Sequence, residues 1–129
     1  MASAGDLPIR GIYEVVIRVA DLDRAQDFYC STLGLDPGLI VDERGMRFLR
    51  AGNGGMLVLQ RADGEFPQQH FAFTIEEGDI EKSLARLTEA GVEHRPPVFH
   101  DWMPGTSIYF SDPDGHDLEL FAPQGAQAP

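Results

Sequence analysis

The chain has 129 residues, 43% of them hydrophobic, which fits one compact domain with its own core and excludes disordered and collagen-like classes. Ten Lys plus Arg against 21 Asp plus Glu give a formal net charge of −11, a surface that repels nucleic acid and anionic membranes and disfavours both as partners. No apolar run approaches the roughly 20 residues of a membrane helix, the start MASAGDLPIR lacks the basic-then-apolar pattern of a signal peptide, and the single Cys30 can form no internal disulfide; a cytoplasmic protein is expected.

Residues 1–10 and the tail 123–129 are small, Pro/Gly-bearing and aperiodic, and are expected to be flexible ends. The order begins with YEVVIRV, where alternation puts Val15, Ile17 and Val19 on one strand face and Glu14, Val16 and Arg18 on the other. A helix follows: Asp21 is the N-cap, Leu22, Ala25, Phe28, Tyr29 and Leu33 recur at helical spacing, and Gly34 stops it. Cys30 lies on this helix beside aromatic residues and reads as a structural thiol. GLIVD, MRFLRA and MLVLQ then supply three strands separated by turn residues.

From residue 70 the pattern starts again. HFAFTI alternates with Phe71, Phe73 and Ile75 on one face and His70, Ala72 and Thr74 on the other. The next helix has Asp79 as N-cap, an Ile80, Leu84, Leu87 stripe and Gly91 as stop. PVFHD, TSIYFS and DLELF complete the second set of strands, the last two joined by the turn DPDG. The expected fold is therefore α+β: two tandem βαβββ modules, about 11–62 and 68–122, forming a cupped eight-stranded mixed sheet with helices on its convex side and spanning a single domain from 11 to 122.

The register of the repeat follows by subtraction. Glu14 and His70 are 56 residues apart, Gly34 and Gly91 57, so Glu14 and His70 hold equivalent places, each on the face away from the apolar stripe. In the last strand Glu119 sits between Leu118 and Leu120 and falls on that same open face. A curled sheet would collect Glu14, Val16, Arg18, Gln60, His70, Tyr109, Glu119 and Phe121 in an apolar and aromatic cup with three metal-capable groups, the profile of a small-molecule site.

EVVIRVADLDRAQDFYCSTLGL, HFAFTI and SIYFSDPDGHDLELF together resemble the vicinal oxygen chelate superfamily, the glyoxalase, bleomycin-resistance and extradiol dioxygenase group, over about residues 11–122. The resemblance implies metal ligands from the first strand of each module and from the last strand, which carries those roles onto Glu14, His70 and Glu119. Glu14 departs from the commoner His or Gln. Val58 stands at the place of a fourth ligand, with Gln60 on the same face two residues on, so no strong fourth ligand is expected and the glyoxalase I reading is weakened. The resemblance also implies a homodimer.

One imidazole and two carboxylates suit a single divalent ion per chain, Zn, Mn, Fe, Ni or Co, with positions left open for substrate oxygens. The expected activity is that of a metal-dependent lyase, isomerase or related enzyme acting on a small molecule chelated through its oxygens. Glu14 or Tyr109 would serve as acid or base, and Arg18, Gln60, Trp102, Tyr109 and Phe121 as substrate contacts. The competing expectation is a metal-free protein that sequesters a small aromatic or cationic drug with Trp102, Tyr109 and Phe121. Of the other histidines, His94 reads as surface and His116 as a turn-stabilising residue, and the face of His100 is undecided.

Overall fold

The alternating and helical runs become, in the computed structural model, eight strands and two principal helices over the described residues 7–125. Residues 1–6 and 126–129 of the ends expected to be flexible lie outside the described residues. The first module is β1 (Glu14–Val19), α1 (Leu22–Gln26), β2 (Asp36–Val41), β3 (Met46–Arg50) and β4 (Met56–Arg61); the second is β5 (His70–Thr74), α2 (Ile80–Glu89), β6 (Val98–His100), β7 (Gly105–Ser111) and β8 (Asp117–Pro123).

The Asp21 carboxylate caps α1 by accepting the Arg24 N–H at 3.0 Å. Beyond Gln26 the helix widens into a π-helical stretch over Asp27–Thr32, with Leu33 N–H reaching back to the Phe28 carbonyl at 3.0 Å. Phe28 and Tyr29, consecutive in sequence, are both buried there. Gly34 and Gly91 follow the two helices at φ +89° and +74°, a backbone state that favours glycine and ends each helix where expected. Asp79 precedes α2 as N-cap without a side-chain cap bond.

The strands are hydrogen-bonded as two sheets of four, ordered β1-β4-β3-β2 and β5-β8-β7-β6. In each, the first and last strands of the module pair in parallel and the other neighbours run antiparallel. The α+β class and the module repeat are as expected; the eight strands are divided evenly between two sheets because β1 and β5 each remain an edge.

Ile17, Val19, Leu49, Leu57 and Leu59 of the first sheet share one core with Leu22, Ala25, Phe28 and Tyr29 of the first helix, Leu87 of α2, and Ile108, Phe110 and Leu118 of the second sheet. Each Val, Leu, Ile or Phe among them contributes about 1.5–3 kcal/mol by leaving water. Both apolar sheet faces and both helices are thus consumed in a common interior. By alternation, the opposite faces, carrying Glu14 on one sheet and His70 with Glu119 on the other, turn away from it.

Polar ties fix this arrangement. Tyr29 donates to Asp112 Oδ2 at 2.6 Å, while Asp112 Oδ1 accepts the Asp114 and His116 N–H groups at 2.9 and 2.8 Å. Asp114 Oδ1 accepts Ala20 N–H at 2.9 Å and the Arg24 guanidinium at 3.1 Å. His116 is fully buried. Its Nε2 faces the Arg18 carbonyl at 2.7 Å, which can only accept, so Nε2 carries the proton and Nδ1 accepts Gln69 N–H at 2.9 Å. The turn role expected of His116 is present, together with a link between modules that its sequence position did not reveal. His94, expected at the surface, is half-buried and bridges Phe110.

Candidate functional site

The open face of the second sheet is built by register. His70 lies beside Asp117, Ala72 beside Glu119 and Thr74 beside Phe121; Ser107 and Tyr109 of β7 flank Phe121 and Glu119, and His100 of β6 stands opposite Gly105. Neighbours directly opposite in a sheet project from the same face, which settles the side of His100: it joins Ser107, Tyr109 and Glu119. The face curls enough to bury Ser107, Glu119 and Phe121.

His70 Nε2 and Glu119 Oε1 are 3.2 Å apart, with the His70 side chain 56% exposed and that of Glu119 8%. Two donor atoms each about 2.1 Å from one divalent ion are separated by about 3.0 Å at a right angle and about 3.4 Å at the tetrahedral angle. The observed pair therefore fits one ion, and the imidazole-carboxylate chemistry suits it. Glu119 Oε2 accepts the Ser107 hydroxyl at 2.5 Å, which fixes the carboxylate and leaves Oε1 for the shared position.

Glu14 does not join this pair within the chain. It is exposed on β1, and among the described residues no three His, Cys, Asp or Glu side chains gather closely enough to hold an ion. The convergence expected from the internal repeat thus brings two of the three residues together, because the modules share their apolar faces and leave their open faces apart.

The expected substrate contacts divide in the same way. Tyr109 sits on the His70–Glu119 face, with its hydroxyl 3.2 Å from His100 Nε2 and the Arg95 guanidinium 4.6 Å from its ring centre. Phe121 is buried on that face and packs on Gly105, where a Cβ would lie 2.4 Å from the ring. Trp102 is 79% exposed, its ring 5.7 Å from that of His100. Arg18 is exposed on the Glu14 face. Gln60 lies on the first sheet too, with its amide donating to the Arg44 and Gly45 carbonyls at 3.1 and 3.3 Å. Ser107 and His100 belong to the site although neither was assigned a role; the period-two spacing of Ser107, Tyr109 and the opposing Glu119 is the signal that carried it.

Burial first, and the neighbouring Asp36 and Asp27 carboxylates second, push the Cys30 thiol up, so the thiolate a nucleophile needs is disfavoured. Among the described residues no helix is long and apolar enough to cross a membrane.

A family model described as Glyoxalase/Bleomycin resistance protein/Dioxygenase superfamily matches residues 11–120. The chain is 33% identical over 117 residues to the metallothiol transferase FosB of Shouchella clausii, covering 87% of this chain and 80% of that protein. Among solved structures, an integron cassette protein, HFX_CASS4, from the mobile metagenome of the Halifax Harbour sewage outfall is 40% identical, with a TM-score of 0.83 over 88% of this chain and 99% of that one. The fosfomycin resistance protein FosX of Mesorhizobium loti is 25% identical, with a TM-score of 0.69 over 88% and 92% of the two chains. With the family match extending over both modules, the chain belongs to the Glyoxalase/Bleomycin resistance protein/Dioxygenase superfamily.

Proposed function

We propose that this protein is a divalent-metal-dependent enzyme that modifies a small molecule held through its oxygens, working as a homodimer in which His70 and Glu119 of one protomer meet Glu14 of its partner. The observation that carries the metal is the 3.2 Å approach of His70 Nε2 to Glu119 Oε1, with Ser107 holding the second carboxylate oxygen. When bound, the ion would polarise substrate oxygens and stabilise negative charge developing on them.

The homodimer is supported by what the single chain leaves open. Ile9, Ile12 and Tyr13 are 79%, 75% and 72% exposed and lead into β1, whose outer edge has no strand partner among the described residues and whose Val15 and Val16 are also exposed. An apolar edge of this kind is normally covered. Setting it against the free edge of β5 from a second copy would bring Glu14 to the half-built His70–Glu119 pair and close one cup from two sheets. Arg18 would face the same cup, while Tyr109 offers a hydroxyl beside Glu119.

Within the lyase, isomerase and addition chemistries open to this site, addition of a small thiol to an electrophile is favoured by the similarity to FosB, named a metallothiol transferase, and FosX, named for fosfomycin resistance. The residues' part is to bind and orient: Glu119 and His70 hold the ion, Tyr109 donates to a substrate oxygen, and Glu14 completes the ligand set or accepts a proton. Elemental analysis of tag-free protein is the test. Close to one divalent metal per chain, lost in Glu14→Ala, His70→Ala and Glu119→Ala, is expected, with metal-dependent consumption of a thiol in the presence of fosfomycin. Failure to take up Mn, Zn, Fe, Ni or Co after reconstitution would overturn the reading in favour of metal-free small-molecule binding.

A further inference from the structure

We propose that His100 is a positioning residue of this site: its Nε2–H, fixed in that tautomer by Ser107, leaves the Tyr109 hydroxyl hydrogen free to donate to an oxyanion on the open sheet face. The inference rests on the reading of His70 and Glu119 as ligands and adds a residue that contacts neither of them.

The argument is a proton count along four side chains. As a carboxylate, Glu119 can only accept, so the 2.5 Å contact from Ser107 Oγ to Glu119 Oε2 consumes the one hydrogen of Ser107. His100 Nε2 lies 3.0 Å from the same Oγ. With the serine hydrogen already committed, that contact is a hydrogen bond only if Nε2 carries the proton and donates. Nε2 is also 3.2 Å from the Tyr109 hydroxyl; a protonated Nε2 has no lone pair, so the tyrosine oxygen accepts there and its own hydrogen cannot point back at the imidazole. Among the described residues the Tyr109 hydroxyl has no other side-chain partner. Its hydrogen is therefore available to a ligand.

The fold supplies the room and the rigidity. His100 stands opposite Gly105, whose missing side chain leaves the space occupied by the Phe121 ring. Tyr109 is clamped between the His100 ring, edge-on at 6.4 Å, and the Arg95 guanidinium. Ser107 is fully buried, so water does not compete with the Glu119 carboxylate for its hydrogen. The polarity thus runs from the ligand carboxylate through Ser107 and His100 to Tyr109, and selects ligands that accept a hydrogen bond, such as phosphonates, carboxylates or enolates, over those that only donate.

Long-range proton–nitrogen correlation NMR on metal-free protein at alkaline pH reads the tautomer directly. Free neutral histidine already favours Nε2–H with a detectable Nδ1–H fraction, so Nε2–H as the sole detectable His100 form is expected, with the Nδ1–H fraction appearing in Ser107→Ala; a detectable Nδ1–H form in the wild type would overturn the proposal. A second measurement is methylphosphonate affinity in the Mn-loaded protein. His100→Leu and Tyr109→Phe should each weaken it about tenfold, the scale of one hydrogen bond, and the double variant should weaken it no further. His100→Gln, whose amide N–H reaches the Nε2 position, should keep wild-type affinity within about twofold. Additive losses, or an unchanged affinity in His100→Leu, would refute the coupling. Absence of metal uptake would remove the enzyme reading alone, since the tautomer is measured without metal.

Discussion

Tyr29→Phe tests the tie between the two modules and carries a pH signature. Tyr29 is fully buried and donates to Asp112 Oδ2 at 2.6 Å; removing the hydroxyl strands that carboxylate oxygen, because the backbone donors from Asp114 and His116 both go to Oδ1. A buried partner left unsatisfied costs about 1–3 kcal/mol. With about 2.1 cal/mol/K per residue, the unfolding entropy is about 270 cal/mol/K, so a loss of about 2 kcal/mol lowers Tm by about 7 °C. Burial first, and the charge and hydrogen bond of Asp112 next, hold the Tyr29 hydroxyl far above its ordinary value of 10. As pH rises past 10 the unfolded chain gives up this proton and the folded chain keeps it, so the unfolded state binds fewer protons and stability falls by about 1.4 kcal/mol per pH unit. The wild-type advantage of about 2 kcal/mol at pH 8 should then shrink to about 0.6 kcal/mol at pH 11. Urea unfolding followed by far-UV circular dichroism measures both gaps, and Cys30, Tyr13 and Tyr109 cancel in the difference. A gap constant between pH 8 and pH 11 would refute the reasoning, as would a variant as stable as the wild type at pH 8.

Gly105→Ala should destabilise the second sheet by about 1–3 kcal/mol in thermal unfolding, because its Cβ would lie 2.4 Å from Phe121 Cζ and 2.7 Å from the Ala122 carbonyl oxygen. Mixing Glu14→Ala and His70→Ala chains at equal amounts, with refolding, tests the shared site: random pairing makes about half the dimers mixed, each mixed dimer has one intact site, and metal should return to about a quarter of one ion per chain by mass action. A site contained within one chain would recover none.

The two modules were legible because each strand and helix writes its own period: Ile17 and Val19, or Phe71 and Phe73, alternate, while Leu84 and Leu87 follow the helix. Glu119 was legible for the same reason, since a charge between Leu118 and Leu120 must leave the core face, and the structure sets it beside His70. Intra-chain convergence of Glu14 was not legible. Alternation assigns a residue to a face, but the way two faces are turned depends on contacts distant in sequence, here Tyr29 to Asp112 and His116 to the Arg18 carbonyl. The face of His100 was hidden by the brevity of β6, three residues long, too short to show a period. The local tie of Gln60 was hidden for a related reason: its amide nitrogen donates to the Arg44 and Gly45 carbonyls of an adjacent turn, an interaction no spacing announces.

The Asp112–Gly115 turn connects these observations. Asp112 organises it by accepting two backbone N–H groups on one oxygen, Gly115 closes it at φ +87°, and β8 begins two residues later. Register in a strand has a period of two, so a slip of one residue would send Glu119 into the core and Leu118 and Leu120 onto the open face. The same turn carries Asp114 to Ala20 and Arg24 and His116 to Arg18, so the segment that aims Glu119 outward also pins β1 with its core face against the other module. Glu14 is thereby turned away from the Glu119 of its own chain by the device that aims Glu119. A chain built this way carries two half-cups, and in the proposed dimer a second copy would supply what each one lacks.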